Sequence, residues 1–94
     1  MEQAEDRITP AQIEHSIDEI WVGDRLGERY NFLDYHFERG GHYCRARSYA
    51  DDFGSVVLYG PFPERHSIEH IDSPDFERDV VDYLERRFPD VSRR

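Results

Sequence analysis

The chain has 94 residues, with 21 acidic side chains against 12 basic ones and a formal charge of −9. A surface this negative repels phosphate backbones and anionic membranes, which argues against nucleic-acid and membrane partners. One cysteine, Cys44, excludes an internal disulfide and fits a reducing, cytoplasmic setting.

All twelve basic residues are Arg, a composition that fits either codon bias or salt adaptation. The N-terminal stretch MEQAEDRITP has neither the basic nor the apolar region of a secretory signal. No apolar run approaches the roughly 20 residues needed to span a bilayer. A single domain over residues 1–94 is expected, with 1–8 and 92–94 frayed.

Thr9-Pro10-Ala11-Gln12 reads as a helix start: a capping Thr, Pro at the first turn, and Gln three residues after the cap. Ile13, Ile17, Ile20 and Trp21 then recur at helical spacing, and Gly23 is a stop. This predicts an N-terminal helix, followed by a loop over residues 24–28.

Tyr30 to Arg39 is rich in aromatics and leads into Gly40-Gly41, a two-residue turn suited to a hairpin. Closing the hairpin there places Phe37 opposite Cys44, Tyr35 opposite Ala46 and Leu33 opposite Ser48 on a core face. The other face pairs Glu38 with Tyr43, His36 with Arg45, Asp34 with Arg47 and Phe32 with Tyr49, and Asp34–Arg47 is a favourable cross-strand ion pair. After a four-residue turn at residues 51–54, Ser55 to Tyr59 forms a third strand. Val57 and Tyr59 then join the core face, while Val56 and Leu58 join the outer one.

Ser73-Pro74 opens a C-terminal helix with Asp75, Glu77 and Asp79 near its positive end. Its apolar stripe is Phe76, Val80, Tyr83, Leu84 and Phe88, and Pro89 ends it. The expected fold is α+β in the order α-β-β-β-α: an antiparallel three-stranded meander, with a fourth short strand possible, and both terminal helices packed on it. Residues 64–71 remain open between strand, short helix and loop.

The segment HSIEH, residues 66–70, has the His-x-x-Glu-His spacing of inverzincin zinc proteases, making His66, Glu69 and His70 candidate ligands. That motif needs a helix to bring both histidines to one ion. Here Pro63 and Pro74 bracket the segment and no cap opens it. In extended chain the two histidines stand about 13 Å apart, at about 3.3 Å per residue. The expectation is no metal, no cofactor and no catalysis. Cys44, on the core face, reads as an inert small hydrophobe rather than a nucleophile. The Asp51-Asp52-Phe53-Gly54 turn lacks the alternating ligands of a calcium loop.

The element order resembles that of double-stranded-RNA-binding domains. Those carry a basic cluster at the start of the last helix, where this chain has SPDFERD, so RNA binding is excluded on charge.

The outer sheet face is the remaining candidate site: Phe32, Asp34, His36, Tyr43, Arg45, Arg47, Tyr49, Val56 and Leu58. Tyr, Phe and Arg with apolar neighbours have the composition of an interface. The sequence therefore predicts a non-enzymatic interaction module acting through this face, as a homodimer or with another protein. The alternatives are an acidic inhibitor or immunity-type protein that binds a basic partner, and a small metal protein or hydrolase using HSIEH.

Overall fold

The computed structural model describes residues 5–94. Five strands and one helix follow in the order β1 (Gln12–Val22), β2 (Arg25–Arg39), β3 (His42–Tyr49), β4 (Ser55–Phe62), α1 (Pro74–Glu85) and β5 (Asp90–Arg93). They form one mixed sheet in the order β1-β2-β3-β4-β5. The first four strands are antiparallel, and β5 runs parallel to β4. This corrects the expected α-β-β-β-α meander.

The N-terminal helix is the largest correction, because residues 12–22 form the edge strand β1. Ile13, Ile17 and Trp21 lie four apart, and a step of four keeps side chains on one face of a helix and also on one face of a strand. The deciding signal is composition. Five of the eleven β1 residues are Ile, Val or Trp, whose side chains suit a pleated sheet better than a helical turn.

Gly23 then begins a two-residue hairpin turn rather than stopping a helix. Its φ is +65°, and Val22 pairs with Arg25 across the turn. The predicted loop at 24–28 is the start of β2. Within it Gly27 is a bulge between the Ile20–Glu28 and Trp21–Leu26 pairs. A Cβ at Gly27 would sit 3.2 Å from the Ile20 carbonyl oxygen and from the Val22 side chain.

The β2–β3 hairpin has the register read from Gly40-Gly41, from Phe32–Tyr49 to Arg39–His42. The next strand does not keep its expected faces. Ala46 pairs with Leu58 and Arg47 with Val57, because the connection spans five residues, 50–54, instead of four. A one-residue slip inverts a strand, so Val56 and Leu58 point into the core and Val57 and Tyr59 point outward. β4 also runs on to Phe62, past the expected end.

Helix α1 crosses over the sheet and delivers β5 beside β4, the connection a parallel pair requires. Phe76, Val80, Tyr83 and Leu84 of α1 pack on Phe37, Cys44, Ala46, Val56 and Leu58. Ser73 stands at the helix N-cap, but its hydroxyl bonds His42 Nδ1 at 2.8 Å rather than capping the helix.

Both chain ends are held where they are described. Ile8 is buried in the core, and Asp6 meets Arg87 at 2.7 Å and Arg86 at 3.3 Å. The Arg87 hydrogen bond keeps the Asp6 carboxyl below its usual range. Ser92 and Arg93 belong to β5, and Arg94 N–H donates to the Leu58 carbonyl at 2.8 Å. The expectation of fraying covers residues 1–8 and 92–94, of which residues 1–4 lie outside those described. No helix among the described residues is long and apolar enough to cross a membrane.

Candidate interaction surface

The outer face of the sheet carries seven of the nine predicted residues. Val56 and Leu58 are the exceptions, each about 1 % exposed beneath α1. The centre of the face is closed by its own polar contacts. Arg47 donates from Nε and Nη2 to the two carboxylate oxygens of Asp34 at 2.8 and 3.0 Å. That bidentate pair holds the Arg47 guanidinium pKa up, and the same guanidinium lies 4.0 Å above the Phe32 ring.

Beside it, His36 Nδ1 meets the Tyr43 hydroxyl at 2.6 Å and His36 Nε2 meets Glu14 Oε1 at 3.1 Å. A neutral imidazole satisfies both contacts, with Nδ1 accepting and Nε2–H donating. Tyr43 stacks between His36 and Phe62, and burial pushes its hydroxyl pKa up. Arg65, from the connection after β4, lies over the Tyr43 ring and donates to Gln12 at 2.7 Å. Asp34, His36 and Tyr43 are therefore buried. Phe32, Arg45, Arg47 and Tyr49 remain partly open.

Glu14, Asp34 and His36 are the one group of three potential metal ligands that converge among the described residues. Their chemistry does not favour a cation. Both Asp34 oxygens are committed to Arg47, whose own positive charge adjoins the site. His66, Glu69 and His70 lie in irregular, exposed chain between β4 and α1. His70 leans its ring on Phe62 at 5.0 Å, and both histidines line a shallow groove with Arg45, Arg65, Tyr59 and Phe62. Cys44 is fully buried, and desolvation pushes its thiol up to about 12, which leaves no thiolate for nucleophilic chemistry near neutral pH.

The open apolar surface lies elsewhere. Of nine large hydrophobic side chains exposed among the described residues, seven are on β1 and the first half of β2: Ile13, Ile17, Ile20, Trp21, Val22, Leu26 and Tyr30. The last main-chain contact of β2 with the β3 side is at Asn31, whose carbonyl accepts the Ala50 N–H at 2.8 Å. N-terminal to it, β2 has β1 as its only strand neighbour among the described residues. The two strands run on as a ribbon with both faces in solvent.

Register assigns the ribbon's faces. Ile13, Ile17, Trp21 and Leu26 continue the helix-bearing face; Ile20, Val22 and Tyr30 continue the outer face. On the outer side Tyr30 meets Tyr49 edge-on at 6.4 Å, and Tyr49 meets Phe32 at 5.7 Å. This aromatic row joins the ribbon to the open part of the predicted site.

Sequence reasoning misses the ribbon because it takes residues 12–22 for a helix, which would hide these isoleucines. A signal is present in the sequence: Gly23-Asp24 is a two-residue turn between two runs of strand-forming residues. No protein-family model, curated protein or solved structure matches the chain.

Proposed function

We propose that the chain is a non-enzymatic interaction domain that self-associates through the β1–β2 ribbon. One observation carries this reading: seven exposed large hydrophobics sit on β1 and the first half of β2, five of them (Ile20, Trp21, Val22, Leu26 and Tyr30) on the two-stranded ribbon and Ile17 at its root, and no strand or helix among the described residues covers them. A lone two-stranded hairpin is marginal in water, and an exposed apolar patch of this kind marks an interaction site. The outer-face network of Asp34, His36, Tyr43 and Arg47 then acts as a support. It stiffens the root of the ribbon, since Gln12 and Glu14 of β1 are both tied into it.

Native mass by light scattering tests the reading, together with the emission of Trp21, the only tryptophan. The parent chain should be a dimer whose Trp21 emission moves to shorter wavelength as concentration rises. Ile17→Thr with Trp21→Ser should give a monomer with unchanged circular dichroism. A parent that stays monomeric at every concentration, or a double variant that associates like the parent, overturns it.

A second reading keeps the ribbon and changes the occupant. Four carboxylates, Asp18, Glu19, Asp24 and Glu28, stand on it against Arg25 and Arg29, which favours a basic partner protein. High salt would weaken that complex and leave an apolar self-interface intact.

A further inference from the structure

We propose that the occupant is a second copy of this chain, joined edge to edge in one register: β1 pairs antiparallel with β1 of the partner about a twofold axis through Ile17. This rests on the self-association proposed above and specifies its geometry.

β1 is a sheet edge with no neighbouring strand on its outer side among the described residues. It is eleven residues long, has no Pro, and begins shortly after Pro10. An edge of that length is a template for another strand. The opposite edge, β5, has four residues and offers much less.

A twofold axis perpendicular to the sheet joins the two sheets with their helix-bearing faces on the same side. Residues that oppose each other must then share a face, which allows only every second register. Charge selects among these. With Ile17 opposite itself, all eleven residues of β1 find partners. Ile13 faces the partner's Trp21, and His15 faces the partner's Glu19, each twice by symmetry. Ser16 faces the partner's Asp18, Glu14 the partner's Ile20, and Gln12 the partner's Val22. No two like charges are directly opposed. Like charges approach only on the diagonal, where Asp18 neighbours the partner's Asp18 and the partner's Glu14.

The neighbouring registers are worse. A shift of two residues one way puts Glu14 opposite the partner's Asp18. The same shift the other way puts Asp18 opposite itself, and four residues that way puts Glu19 opposite itself. Directly opposed like charges destabilise a strand pair. A shift of four the first way leaves residues 19–22 unpaired.

The chosen register also covers the ribbon. Residues 18–22 of each copy lie beside residues 12–16 of the other, so neither ribbon remains a lone hairpin. Trp21 joins Ile13 of the other copy, next to Tyr35, whose ring packs edge-on against Phe88 at 5.9 Å. The apolar stripe Ile13–Ile17–Trp21 thereby becomes continuous across the axis and meets the two cores. An eleven-residue antiparallel pair adds about ten backbone hydrogen bonds, roughly one per residue.

Disulfide trapping and a charge exchange test the register. Ile17→Cys should cross-link rapidly to itself under mild oxidation, because directly opposed Cα atoms about 4.5–5.5 Å apart fall within disulfide reach. Ile20→Cys should not, since its copies are separated by six residues along the pairing. His15→Glu sets a carboxylate against the partner's Glu19 and should weaken dimerisation at least tenfold. Adding Glu19→His should restore it to within about threefold of the parent. A dimer that traps no faster at position 17 than at position 20, or whose affinity the exchange does not restore, overturns this register and leaves self-association through the ribbon standing. A monomer overturns both.

Discussion

The molecule has two unlike regions made of the same kind of strand. In the body, β3 and β4 each have a strand on both sides and a helix on one face, and Phe37, Cys44, Ala46, Leu58, Val80 and Leu84 are each 1 % exposed or less. In the ribbon, residues 18–22 of β1 and 25–30 of β2 have only each other as strand neighbours among the described residues, and Ile20, Trp21 and Val22 are 47–69 % exposed. Apolar content does not separate the two regions; the number of neighbours does. The body uses its apolar residues for its own stability, whereas the ribbon leaves its apolar residues largely exposed.

Thiol reactivity should show the largest difference. The Cys44 thiol is pushed from an ordinary 9.0 up to about 12 by burial, so at pH 9 only about one molecule in a thousand carries the thiolate. A cysteine placed at Val22 should alkylate at the rate of a free thiol, and Cys44 at least several hundredfold more slowly. Equal rates would show that the body opens as readily as the ribbon. The same shift sets an alkaline limit. Because the folded pKa lies above the unfolded one, the stabilisation is complete below about pH 9 and is lost as pH rises from there through 12. Denaturation midpoints measured between pH 8 and 11 should fall only in the upper part of that range.

Truncation should divide the regions next. Leu58→Ala removes a side chain 1 % exposed and should cost about 2–5 kcal/mol. Leu26→Ala, at 45 % exposed on the ribbon, should cost less than about 1 kcal/mol in the monomer. Urea titrations of both variants would break the comparison if the two costs were alike.

The polar root of the ribbon should lie between. Asp34→Ala leaves the Arg47 guanidinium, 24 % exposed, without its bidentate partner, at a cost of about 1–3 kcal/mol. Removing Arg47 as well should recover part of that loss, and a double-mutant cycle by chemical denaturation measures the coupling. Smallest of all should be Ile17→Thr, which keeps a β-branched side chain at an exposed strand position. It should alter monomer stability by no more than about 0.5 kcal/mol while weakening association severalfold, as read by sedimentation or light scattering.

What is legible in the sequence is local. The Phe76–Val80–Tyr83–Leu84 stripe and the Ser73-Pro74 start depend on residues within one helix. The β2–β3 register depends on one turn and the chemistry of facing pairs, so Phe37–Cys44 and Asp34–Arg47 both follow from the order of residues around Gly40-Gly41. The same reasoning fails where one piece of local information is ambiguous. Ile13, Ile17 and Trp21 satisfy both periodicities, so β1 passes for a helix. One extra residue in the turn before Ser55 moves Val56 and Leu58 from the outer face into the core. Phe32, Asp34, His36, Tyr43, Arg45, Arg47 and Tyr49 all lie on the outer face, but Asp34, His36 and Tyr43 are buried within it. Arg65 and Gln12, far apart in the chain, close the centre of that face.

The C-terminal helix, the central hairpin with its ion pair, and the net charge of −9 are legible in the sequence. Each of these follows from residues close together in the chain or from a sum over all of them. Long-range pairing alone places residues 12–22 at a sheet edge, sets β5 beside β4 as a parallel partner, and makes the open apolar surface a ribbon. Those outcomes depend on which strand finds a neighbour, and a neighbour is a long-range contact that no local pattern encodes.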